Sequence, residues 1–148
     1  LTKNKIKGTD KLLKSFKDMK NVDEKQVKKL TLQGAGLILA SAKSFCKNNT
    51  VREALGYITK NDARFPRITL IGVRSGYGTA TFTAPALAVI EEYGTAERFK
   101  SNGSSTGYVN PRPFMRPAID QNKDKVKAVL IDGMIKIVEQ QANKNNLK

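Results

Sequence analysis

Asn110-Pro111-Arg112-Pro113-Phe114-Met115-Arg116-Pro117-Ala118 stands directly ahead of a charged amphipathic segment. Three prolines this close together have no place inside a helix or a central strand. Each also biases the residue before it toward extended backbone, which predicts Asn110, Arg112 and Arg116 extended. Residues 110–117 therefore read as a stiff arm carrying two arginines and one large apolar anchor, Phe114. Pro117 is expected as the first helical residue, where its missing N–H would be unpaired anyway.

The helix after the arm is expected over 117–143, with an apolar stripe of Ile119, Val126, Val129, Leu130, Met134, Ile137 and Val138. Ahead of the arm, residues 95–109 are rich in Gly and Ser and read as a long flexible loop. Connections of that length are usually functional or ordered only on binding. Upstream of the loop, Leu87, Val89 and Glu91 alternate with Ala88, Ile90 and Glu92, which predicts a strand over 86–93. Two shorter β-branched runs, 55–59 and 67–74, predict further strands. The N-terminal part reads as two helices, one over 9–20 and a longer one over 22–47. Gly34 and Gly36 in the second point to close packing of another element more than to a kink.

The expected fold is a single α+β domain spanning residues 1–148. It has two N-terminal helices, a small antiparallel sheet of three to five strands, and a C-terminal amphipathic helix packed on that sheet.

The acidic-aromatic-Gly-Thr run in Ile90-Glu91-Glu92-Tyr93-Gly94-Thr95, followed by a variable loop and then Pro113-Phe114-Met115-Arg116-Pro117-Ala118, resembles the signature of a family of minor tail components of long-tailed bacteriophages. The specific match covers residues 90–118, about a fifth of the chain. Residues 50–58, Thr50-Val51-Arg52-Glu53-Ala54-Leu55-Gly56-Tyr57-Ile58, keep the threonine, leucine and final isoleucine of another family segment but not its order around the glycine. The resemblance implies a neck or tail-completion protein, a ring joining the DNA-filled head to the tail. Its implied partners are further copies of itself, the head connector or adaptor proteins, and the tail tube or tail terminator. Non-specific DNA contact in the channel is a further possibility. The implied location is the virion, assembled in the host cytoplasm.

Composition bears on function independently. With 27 Lys+Arg against 13 Asp+Glu, the net charge is +14. Such an excess implies contact with something negative, whether nucleic acid, an acidic protein surface or a membrane face, unless it only keeps the protein soluble. Lysines outnumber arginines, so the basicity reads as diffuse attraction rather than oriented base readout. The chain has no histidine, which removes the usual general base and metal ligand. The single cysteine, Cys46, rules out an intramolecular disulfide and reads as a buried, inert thiol. No apolar run approaches the roughly 20 residues of a membrane span, so the chain reads as soluble or as part of a particle.

Glu91 and Glu92, as strand neighbours, would point to opposite faces and could not form an acid–base couple. No catalytic residue, cofactor or metal is expected, and the protein is read as non-enzymatic. The expected interface residues are Glu92, Tyr93, Gly94, Arg112, Phe114 and Arg116. The arginines either cross a subunit boundary or pair with Glu91, Glu92 or Asp120 within the chain. The alternatives to a virion ring are a stand-alone basic nucleic-acid-binding protein and a phage assembly factor that stays outside the particle.

Overall fold

A computed structural model describes residues 24–60 and 68–146. The helix expected over 9–20 lies outside the described residues. Helix α1, Glu24–Phe45, is followed by the short α2, Asn49–Ala54, then β1, Leu55–Lys60, and β2, Ile68–Val73. Helix α3, Ala84–Tyr93, leads to two very short strands, β3, Arg98–Phe99, and β4, Ser105–Gly107. Helix α4, Met115–Asn146, ends the described chain. The architecture is mixed helix and sheet, broadly α+β.

The region expected as a strand over 86–93 is helical. Its buried residues, Ala84, Ala88 and Glu91, recur every four and three residues, the period of one helix face. Pro85 sits in the first turn behind an extended Thr83, where proline is well tolerated. The alternation at 87, 89 and 91 is too short to fix a strand, and on the helix Val89 turns outward, 58 % exposed; the alanines and the early proline favour helix.

Losing that strand changes the sheet. Among the described residues there are two separate two-stranded antiparallel sheets, not one sheet of three to five strands. β1 and β2 pair from Leu55 with Val73 to Lys60 with Ile68. Residues 95–109, expected to be structureless, contain the β3–β4 pair.

The C-terminal helix also packs differently from expectation. α4 lies antiparallel along α1, while α1, not α4, covers the β1–β2 sheet. Glycines allow the two helices to approach closely. Val126 Cγ1 would lie 3.2 Å from a Cβ on Gly34, and the Leu30 side chain occupies the space a Cβ on Gly133 would need. The packing reading of Gly34 therefore holds, whereas Gly36 meets nothing within 4 Å. Asn122, buried in this seam, donates to Ser41 Oγ and to the Ala118 carbonyl, both at 2.8 Å. Both of its amide hydrogens are thereby matched, as a buried amide requires.

Where α1, α2, β1, α3 and the start of α4 converge, Ala42, Cys46, Val51, Leu55, Ala88, Phe114 and Ala118 form the core. Phe114 is 1 % exposed and is among the largest fully buried side chains.

Candidate interaction surface

The last turn of α3 organises the region around the arm. Glu91 is 9 % exposed. Its Oε1 accepts from the Lys47 and Asn48 backbone N–H groups at 2.9 and 3.2 Å. Asn48 in turn caps α2, accepting from the Val51 N–H at 3.2 Å. The Cys46 thiol lies 3.6 Å from Glu91 Oε2. Burial, followed by the Glu91 carboxylate, pushes this thiol up to about 11, so it stays protonated and unreactive at neutral pH.

Glu92 faces the other way and holds the start of α4. Its Oε2 accepts from Phe114 N at 2.8 Å and Met115 N at 2.9 Å, and its Oε1 accepts from Arg116 N at 3.1 Å. The first four N–H groups of a helix lack intrahelical partners. Here three are taken by one carboxylate, and Pro117 has no fourth to offer. Burial works to raise the Glu92 carboxyl. The N–H bonds from Met115, Phe114 and Arg116, with the Arg116 charge, outweigh it and hold the group below its ordinary value. Acidic residues at a helix C-terminus are unfavourable on dipole grounds. These two are offset by the N-terminal N–H groups of the neighbouring segments.

The arm closes against the same helix end. Gly94 takes φ +71°, and a Cβ there would collide with the Val109 carbonyl and lie 2.9 Å from the Pro111 nitrogen. Thr95 N donates to Val109 O, and Val109 N donates to Thr95 Oγ1, each at 3.0 Å. Arg112 N donates to Glu91 O at 2.6 Å. Residues 95–109 thus leave and return through a pinned base.

Beyond that base the hairpin has its own bonds. Lys100 N donates to Ser104 O at 2.8 Å, and Ser105 Oγ donates to Glu97 Oε1 at 2.7 Å. Its aromatics face solvent: Phe99 is 64 % exposed and Tyr108 63 %, beside Tyr93 at 66 %. A groove of about 270 Å³ runs between the arm and the 47–48 turn, with Lys47 and Arg112 among its lining residues.

The six residues singled out from the sequence therefore separate by role. Glu92 and Gly94 hold the arm in place, and Phe114 anchors it in this chain's own core. Tyr93, Arg112 and Arg116 are exposed. Arg116 is not extended but lies in the first turn of α4, which begins two residues before Pro117. Of the intrachain pairings considered for the arginines, only the Arg116 charge near Glu92 is present among the described residues.

The role of Glu91 has no local signal in the sequence, because the backbone donors that its carboxylate binds, Lys47 N and Asn48 N, lie 44 and 43 residues away. Phe99 and Tyr108 stand out as exposed anchors only once residues 95–109 are folded into the β3–β4 hairpin. The basic-aromatic run Arg98-Phe99-Lys100 was the available signal.

Residues 74–79 form a turn closed by backbone bonds to the segment that follows it. Thr79 N donates to Phe82 O at 3.0 Å and Ala84 N to Tyr77 O at 2.8 Å. Among the described residues no group of three or more His, Cys, Asp or Glu is placed to hold a metal, and no helix is long and apolar enough to cross a membrane. Comparison with family models, curated proteins and solved structures finds no match.

Proposed function

We propose that this protein is a structural component of a bacteriophage virion, placed at the head–tail junction as a self-associating neck or tail-completion ring. The observation that carries the assembly part is the rigidly held arm and hairpin. Hydrogen bonds from α3 fix its base, while Tyr93, Phe99, Tyr108, Arg112 and Arg116 are left exposed. Aromatic residues and arginine are the types that dominate binding energy at protein interfaces. A device so firmly braced, with its large side chains turned outward, fits docking better than turnover.

The phage assignment rests on the resemblance of residues 90–118 to minor tail components. In this reading the protein acts by occupying a place, and no residue is assigned a catalytic role. The positive charge would face either the DNA path or an acidic connector surface. Mass spectrometry of purified particles tests the assignment. A fixed, stoichiometric number of copies per particle is expected. Absence from particles that nonetheless need the protein to form would make it an assembly factor outside the virion.

A further inference from the structure

α4 has two apolar sides. One packs on α1 and includes Ala118, Val126, Gly133 and Ile137. Ile131, Ile135 and Val138 lie on the opposite side, spaced four and three residues apart, and are 58 %, 51 % and 42 % exposed. By helical spacing, Asp132 and Glu139 run along one flank of this outer stripe, and Lys127 stands on the other. The outer face of the second half of α4 is thus an apolar strip with an acidic edge.

The hairpin is its chemical opposite: Phe99 and Tyr108 exposed, with Arg98, Lys100 and Arg112 around them. The two patches cannot meet within one chain. The hairpin is pinned at the start of α4, and Ile131 lies about 24 Å further along the helix at 1.5 Å per residue. Hairpin against hairpin would bring basic groups together, and two strips packed antiparallel would set their acidic edges side by side.

We propose that the hairpin of one copy docks on the outer strip of α4 of the next, with Phe99 and Tyr108 seated on Ile131, Ile135 and Val138. This deepens the ring reading and rests on it. The contact joins two different surfaces, so it runs head to tail, as a closed ring requires.

Two double variants and their mixture test this by sedimentation or native mass spectrometry of the full chain. One is Phe99→Ala with Tyr108→Ala, and the other is Ile131→Gln with Ile135→Gln. The wild type is expected to form a closed oligomer. Each variant alone is expected to associate roughly tenfold to a hundredfold more weakly. The 1:1 mixture is expected to form dimers that grow no further, because each variant keeps the one surface the other lacks.

A mixture that stays monomeric, or either variant assembling like the wild type, overturns the proposed contact while the ring stands. A wild type that is monomeric at every concentration overturns both. The altered side chains are exposed, so thermal melts should match the wild type. Should a double variant melt early, Tyr108→Ala and Ile135→Gln serve as single changes in the same mixing experiment.

Discussion

Glu91 and Glu92 are neighbours in sequence with different tasks: one carboxylate ties the turn that leads into α2, and the other holds the start of α4. Replacing Glu92 by Ala strands three backbone donors that it now satisfies. A cost of about 2 kcal/mol in chemical denaturation is expected, in the range of a lost helix cap. The pH dependence follows from the lowered carboxyl. A carboxyl held below its unfolded value adds stability above that value and loses it as pH falls through the folded one. The wild type should therefore lose this contribution progressively once pH drops below the ordinary 4.5, and Glu92→Gln should show a flatter profile over the same interval. An unchanged profile in Glu92→Gln would mean that the clamp contributes nothing. Gly94→Ala should cost about 1–3 kcal/mol, because a side chain at positive φ is strained and this one meets the arm's backbone. That measurement uses the same denaturation assay.

At the scale of elements, the two-glycine seam between α1 and α4 makes its own prediction. Gly34→Leu would force a side chain into space held by Val126 and Leu130, and a loss of about 1–3 kcal/mol in unfolding free energy is expected. The helices were largely legible in the sequence, because long stretches repeat the 3.6 period: Leu30, Gly34 and Ile38 in α1, and Val126, Leu130 and Ile137 in α4. The β1–β2 hairpin was legible from its β-branched runs. Other features were not, among them the short α2, Asn49–Ala54, capped by Asn48. α3 is only ten residues long, so its period was ambiguous. The bounds of α4 depend on Glu92, a residue 24 positions from Arg116 in sequence, and no local rule looks that far. The order in 95–109 comes from the Thr95–Val109 closure, which also joins residues distant in sequence.

At the scale of the whole molecule, both the sheet and α4 expose large apolar side chains. Ile58 and Leu70, cross-strand partners on β1 and β2, are 55 % and 47 % exposed, as are parts of the outer strip of α4. A site of this kind was only partly legible, because composition shows charge but not which apolar residues a fold leaves outside. Phe114 shows the converse: the arm's largest side chain is inside the protomer, so the exposed arginines are what the arm has to offer a partner. Replacing Arg112 and Arg116 by Ala should weaken ring and particle assembly while leaving the protomer's melting transition within about 0.5 kcal/mol of wild type. Normal particle yield from the double variant would remove the arm from the interface.

The most direct test of a place at the head–tail junction is electron microscopy of particles made by a phage with a nonsense mutation in this gene, complemented as control. DNA-filled heads beside detached tails are expected. Intact, infectious virions would contradict the assignment.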